Sequence, residues 1–188
     1  MRFVIFLVSL ALLILVSADP IRILKDDLNQ SAENTVLQIN RIMVDSTLAT
    51  AALIVEFRLA DQAEIEKFQN FTHEWKSRDV VFVQDIIQLD EFRRQFFNLL
   101  PKESKEQRRS LLNQYTGGTY SQLQDKVYEY VAEQYESFKT KGTEMIRVAK
   151  EAGNTDKNID ILFDRFVQAE RYHRESDFNN LLSYLKRI

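Results

Sequence analysis

The sequence predicts an all-α fold, an antiparallel bundle of five to seven amphipathic helices without disulfides. Only four glycines and two prolines occur in the 188 residues, and neither type occurs between residues 21 and 100. Turn-rich β-sandwiches need glycine, asparagine and proline at much shorter intervals. Apolar residues instead recur every three or four positions along most of the chain, which is the period of a helix with one buried face.

Residues 1–18 are typical of a secretory signal peptide. Arg2 supplies a short basic region, residues 3–16 form an apolar run, and small residues then precede a cleavage point after Ala18. The alternative is an N-terminal membrane anchor, for which the run is short. We therefore expect a secreted, extracellular protein in which residues 19–188 form a single helical-bundle domain.

Cysteine content and net charge exclude several classes of function. The chain has no cysteine, which excludes thiol catalysis, cysteine-ligated zinc or iron–sulfur sites, and disulfide scaffolds. Stability must instead come from an apolar core, which 170 residues or so are enough to build. The net charge of −3 is small and negative, whereas binding to nucleic-acid phosphates requires an excess of lysine and arginine. We therefore expect no nucleic-acid partner.

Apolar stripes and end residues place the individual helices. The first break is expected at Asp45 or Ser46, either of which can serve as an N-cap, and Pro101 ends a later helix. The loop at Gly117 and Gly118 is the clearest in the chain. The predicted helices cover residues 21 to the low forties, 47 to about 76, 80–100, a short segment from 104 to about 115, 119–152, and one or two helices from 156 to the C-terminus.

Several further features refine the predictions for the C-terminal half. Thr119 and Gln122 match a capping box that opens a helix. Gly142 either breaks this helix or lets another helix approach closely. Gly153 is a natural residue to follow the helix, and Thr155 or Asp156 is expected to cap the next one. Met145, Ile146 and Val148 are expected to continue one buried stripe.

Residues 80–100 are predicted to form a core helix that the other helices surround. Phe92 and Phe96 lie on an apolar face of ordinary width in its second half. Its first half is apolar on nearly every side. This half is either enclosed by neighbouring helices or presents a surface kept for a ligand or partner.

Two triplets match the acceptor for N-linked glycosylation. They begin at Asn29 and Asn70 and are followed by Gln-Ser and Phe-Thr, respectively. Asn70 falls off the stripe of Phe68 and Phe71, so we expect it to be exposed. The predicted secretion makes both triplets relevant.

Metal and catalytic sites have little support in the sequence. Glu170 and His173 form one Glu-x-x-His half-motif of the kind found in di-iron bundles. The second copy is missing, because the residue three positions before His73 is Asn70 and not a glutamate. His73 is expected on the solvated surface. No nucleophile motif or phosphate-binding loop occurs. We therefore expect no cofactor, metal ion or catalytic residue, and a protein that is not an enzyme.

Two sets of residues are candidate binding groups. On a helical wheel Arg93 falls among apolar residues, so its charge must form an ion pair, extend to solvent, or anchor an anionic ligand in a pocket. Tyr120, Tyr128 and Tyr135 recur seven or eight positions apart along one predicted helix. They form either a second packing face or an interaction face, since interfaces favour tyrosine.

These observations lead to one expected function and one alternative. The first is a secreted, non-enzymatic bundle that binds another extracellular protein. The alternative is a secreted carrier of lipid or another small apolar molecule, with contact to a membrane surface possible. A continuous apolar pocket beside Arg93 would favour the carrier, and a fully packed core would favour the interaction protein. The sequence does not determine the oligomeric state.

Overall fold

The described part of the chain consists of helices joined by short turns and contains no strand, which confirms the predicted all-α fold. The computed structural model describes residues 19–78, 86–100, 105–170 and 174–187. The predicted signal peptide, Pro101 and His173 lie outside these ranges. The helices in the described ranges are α1 Pro20–Glu56, α2 Gln62–Ser77, α3 Ile86–Leu99, α4 Lys105–Tyr115, α5 Thr119–Glu151, α6 Lys157–Gln168 and α7 Arg174–Leu185.

The predicted break at Asp45 or Ser46 is wrong, because α1 continues for 37 residues. The hydroxyls of Ser46 and Thr47 donate to the backbone carbonyl of Met43, and Thr50 donates to that of Ser46. These bonds keep the polar side chains inside the helix instead of capping a new one. The chain turns after Glu56, and Asp61 caps α2 by accepting a hydrogen bond from the Glu64 amide.

The chain divides into two compact units. The terminal unit contains the described residues up to Asn34 and from Glu136 onwards, and the central unit is Thr35–Tyr135. Helices α1 and α5 contribute residues to both units. The single domain over residues 19–188 stays a prediction.

The central unit is built on an aromatic core from α2 and α3. Trp75 is 1% exposed, and its ring lies edge-on to Phe92 with centroids 4.9 Å apart. Phe71 packs between Phe92 and Phe96, at 5.5 and 5.8 Å. Residues of α1 and Leu112 of α4 complete this core. The face predicted for the second half of the 80–100 helix is therefore confirmed, whereas residues 80–85 lie outside the described ranges.

The terminal unit has a second aromatic core, centred on Phe138 of α5. Its ring lies edge-on to Phe163, Phe166 and Phe178, at centroid distances of 6.1, 5.4 and 5.0 Å. Phe166 and Leu28 have no exposed surface. Helices α5, α6 and α7 thus meet around one ring.

Gly142 lets α6 approach α5 closely and does not break α5. A Cβ atom built on Gly142 would lie 2.4 Å from Cε2 and 2.7 Å from Cζ of Phe163. The absence of a side chain at this position therefore makes room for the Phe163 ring.

We expect Gly142→Ala to lower the free energy of unfolding by about 1–3 kcal/mol, because Phe163 is held by other rings and has little space to move. In an open helical position the same change would stabilise the protein by about 1 kcal/mol. Urea denaturation followed by far-ultraviolet circular dichroism measures the difference. The exposed neighbour Thr143 provides the control, since Thr143→Ala should change stability by less than about 0.5 kcal/mol. A stabilised Gly142→Ala protein would contradict the close approach.

Both ends of the α5–α6 connection are fixed as the sequence predicts. Gly153 has φ of 76°, and the amides of Gly153 and Asn154 donate to the carbonyls of Lys150 and Ala149. This is the Schellman arrangement, which ends a helix with glycine. Asp156 then caps α6 by accepting hydrogen bonds from the amides of Asn158 and Ile159.

Within the described ranges, no helix combines the length and apolarity needed to cross a membrane.

Candidate functional site

An open apolar groove lies in the terminal unit between the first turns of α1 and the last turns of α5. Its volume is about 380 Å³, and we call it the terminal groove. The apolar lining includes Pro20, Ile23, Leu24, Met145, Val148 and Ala149. Ile23 is 48% exposed and Val148 is 51% exposed, so two large aliphatic side chains of one groove remain open to solvent.

The first turns of α1 are held in place by a polar cluster of the same unit. Lys25 Nζ lies 2.8 Å from Asp156 Oδ2, and the Tyr184 hydroxyl donates to the same carboxylate at 3.1 Å. The ammonium group of Lys25 also lies 5.2 Å from the centroid of the Tyr184 ring. Because Lys25 follows the groove residue Leu24, this cluster fixes one wall of the terminal groove against α6 and α7.

The cluster shifts the ionisation of both charged groups. Burial alone would raise the pKa of Asp156, but hydrogen bonds from Lys25, the Ile159 amide and Tyr184 together lower it below its usual range. The hydrogen bond to Asp156 raises the pKa of Lys25, against a smaller opposing effect of burial. Both groups are therefore charged at neutral pH.

The charged side chains that line the terminal groove are acidic. They are Asp27 on α1 and Glu144 on α5. Arg147 donates to both carboxylate oxygens of Glu144, at 2.6 and 2.9 Å, and these bonds lower the pKa of Glu144. The groove therefore combines an apolar floor with the acidic side chains Asp27 and Glu144.

A second open groove lies in the central unit, between the end of α1 and α2. Its volume is about 490 Å³, and it is lined by Ala52, Val55, Glu56, Gln69, Thr72, His73 and Lys76. Most of these side chains are polar. His73 is exposed, as the sequence predicts.

Arg93 is exposed to solvent on α3, which agrees with the alternative in which its charge extends to solvent. It lines neither of the two grooves. The helical wheel placed Arg93 partly by its relation to Phe82, which lies outside the described residues. Leu89 and Leu100, which share that side of the wheel, are only half-buried.

The three tyrosines of α5 do not form one exposed face. Tyr128 is 55% exposed, Tyr135 is 8% exposed, and Tyr120 packs partly buried against the core of the central unit. The proposed interaction face is therefore reduced to Tyr128. Tyr120 and Tyr135 follow the alternative, in which such tyrosines cover a packing face.

The apolar stripes do not reveal the exposed groove residues. Ile23 belongs to none of the predicted surfaces, and Val148 is predicted in a buried stripe with Ile146. Ile146 is buried and Val148 is exposed. The available clue was their spacing, because residues two apart on a helix do not share a face.

No group of three or more histidine, aspartate or glutamate side chains in the described ranges is arranged to hold a metal ion.

Comparison with protein-family models, curated proteins and solved structures gives no significant match to this chain. The terminal groove is therefore interpreted from its own residues.

Proposed function

We propose that the protein is a secreted, non-enzymatic helical bundle that binds another protein through the terminal groove. The observation that supports this most is the pair of exposed side chains Ile23 and Val148 on one apolar groove. Proteins use grooves of this kind to receive the apolar face of a helix. Secretion is supported by the N-terminal segment described above.

The acidic lining favours a particular partner chemistry. An amphipathic helix with aliphatic residues on one face and Lys or Arg beside them would bury Ile23 and Val148. One of its cations would lie near Asp27, since the Glu144 carboxylate is already paired with Arg147. Complementary charge of this kind speeds association and selects among partners. We therefore propose a basic amphipathic helix of another extracellular protein as the ligand.

Three observations favour the protein-binding function over the carrier alternative. Aromatic rings pack against one another in the cores of both units, and the two grooves described above are open to solvent instead of enclosed. Small-molecule sites usually surround most of the ligand surface. A lipid carrier would also use an enclosed apolar pocket, and Arg93 is exposed instead of beside one.

A model helical peptide of leucine and lysine tests this proposal. Fluorescence anisotropy should detect binding of the labelled peptide, and salt should weaken the binding because the charges are exposed. A peptide with glutamate in place of lysine should bind far less tightly. Equal binding of the two peptides would contradict the proposed partner chemistry.

Replacing both Ile23 and Val148 by alanine should weaken binding of the leucine–lysine peptide at least tenfold, because these side chains supply the apolar contact. The matched control replaces Met43 and Ile161, which are 45% and 42% exposed but line neither groove. The control pair should leave binding unchanged. Loss of binding in both double variants, or in neither, would exclude the terminal groove as the site.

Fatty acids and vesicles of phosphatidylcholine and phosphatidylserine test the alternative. A ligand that binds only the folded state raises the midpoint of thermal unfolding. We expect no change in this midpoint with either additive. A clear rise would favour the carrier or membrane-surface function over protein binding.

A further inference from the structure

The two glycosylation triplets have different surroundings in the folded chain. Asn70 lies on the exposed side of α2, and the next residue, Phe71, is 5% exposed in the aromatic core of the central unit. Neighbouring side chains on a helix point in directions about 100° apart. A group attached to Asn70 therefore extends into solvent without displacing the core.

Asn29 is less accessible. Its side chain is half-buried in α1, and its Oδ1 atom is shielded from solvent and has no hydrogen-bond partner within the described ranges. A sugar attaches to Nδ2 of the same amide group. A glycan on Asn29 would therefore have to leave from a partly enclosed group, next to the fully buried Leu28. The fold accommodates a glycan at Asn70 much more easily than at Asn29.

We propose that Asn70, and not Asn29, carries an N-linked glycan in the folded protein. The proposal rests on the proposed secretion, since the chain must enter a compartment that holds the transferase. In the reaction, Nδ2 of Asn70 forms a bond to C1 of the first sugar of a lipid-diphosphate-linked oligosaccharide. The bond from C1 to the diphosphate oxygen breaks, the lipid diphosphate leaves with the electron pair, and one proton passes from Nδ2 to a base of the transferase.

The third residue of the triplet indicates when the transfer takes place. The hydroxyl of Thr72 is shielded from solvent in the folded protein. This hydroxyl belongs to the recognised Asn-X-Ser/Thr triplet. The transferase must therefore act before α2 packs into the central unit. The finished fold is then compatible with a glycan on Asn70, which lies on the exposed side of α2, but not with one on Asn29, whose amide group becomes partly enclosed.

Expression of the full chain in cultured animal cells tests the proposal. Protein from the medium and from the cells is analysed by gel mobility before and after treatment with peptide N-glycosidase. The wild-type protein should carry one glycan, which Asn70→Gln removes and Asn29→Gln leaves in place. A glycan that remains in Asn70→Gln, or two glycans in the wild type, would overturn the assignment.

A new acceptor site separates failure of glycosylation from failure of secretion. Lys141→Asn creates an Asn-Gly-Thr triplet whose first and third residues are exposed on α5. If this variant gains a glycan in the Asn70→Gln background while the wild type has none, the Asn70 proposal is wrong and entry into the secretory route is retained. If neither protein is glycosylated and neither reaches the medium, both proposals fail.

Discussion

Trp75→Ala is expected to lower the free energy of unfolding by about 3–5 kcal/mol, the largest single-residue effect we predict. The indole is 1% exposed and lies at the centre of the aromatic core of the central unit. Removing it leaves a cavity beside Phe71 and Phe92, whose rings lie 6.3 and 4.9 Å from its own. Urea denaturation followed by circular dichroism measures the loss.

Trp75→Phe separates the contribution of packing from that of the indole hydrogen bond. The indole N–H donates to Gln95 Oε1 at 2.7 Å. Phenylalanine keeps most of the apolar contact but leaves that oxygen without this donor, so we expect a loss of about 1–2 kcal/mol. The exposed Phe97 is the matched control, and Phe97→Ala should cost much less than Trp75→Ala. Equal losses for Trp75→Ala and Phe97→Ala would contradict the described core.

Asp156→Ala is expected to lower the free energy of unfolding by about 2–4 kcal/mol. The substitution removes the N-cap of α6, which is worth about 1 kcal/mol. It also leaves Lys25 and the Tyr184 hydroxyl without their shared acceptor, in a cluster where the Lys25 and Asp156 side chains are only 16% and 12% exposed. Thermal and urea denaturation of the purified variant measure the effect.

Asp156→Asn distinguishes the cap from the ion pair. Asparagine caps helices about as well as aspartate does, so this variant should lose only the charge interaction with Lys25, about 1–2 kcal/mol. Equal destabilisation by alanine and asparagine would mean that the cap contributes nothing measurable.

The difference in stability between the wild type and Asp156→Asn should depend on pH. Because the pKa of Asp156 is lowered in the folded state, this group stabilises the fold above its unfolded pKa of about 3.9, and that stabilisation is lost as pH falls through its folded pKa. Because the pKa of Lys25 is raised in the folded state, this group stabilises the fold below its unfolded pKa of about 10.4, and that stabilisation is lost as pH rises through its folded pKa. We expect a constant difference from about pH 5 to pH 9 and a smaller one outside that window. A difference that stays constant down to pH 2 would contradict the ion pair.

Local sequence rules accounted for the helix ends that depend on a few adjacent residues. Gly153 ends α5 because glycine adopts positive φ at little cost, and Asp156 begins α6 because its carboxylate accepts amide hydrogen bonds two and three residues ahead. The break expected at Ser46 was wrong for a related reason. A serine hydroxyl can cap a helix or bond back to a carbonyl of the preceding turn, and the local sequence does not decide between the two.

The candidate site depended much more on tertiary structure. Ile23 and Val148 are far apart in the chain, and only the packing of α1 against α5 in the terminal unit brings both to one groove. The helical wheel also left alternatives open for Arg93 and Tyr135, because a wheel gives the angle between residues of one helix but not the direction from which the other helices approach. Arg93 is exposed and Tyr135 is buried.

The sequence by itself determined the helical class, several helix ends and the apolar face of Phe92 and Phe96, because these follow from apolar periodicity and local backbone chemistry. The tertiary structure decided which apolar side chains stay exposed, which asparagine of the two triplets is exposed, and why position 142 is glycine. Each of these depends on a contact between segments distant in the chain. Phe163, 21 residues after Gly142, fills the space that any other side chain at that position would occupy.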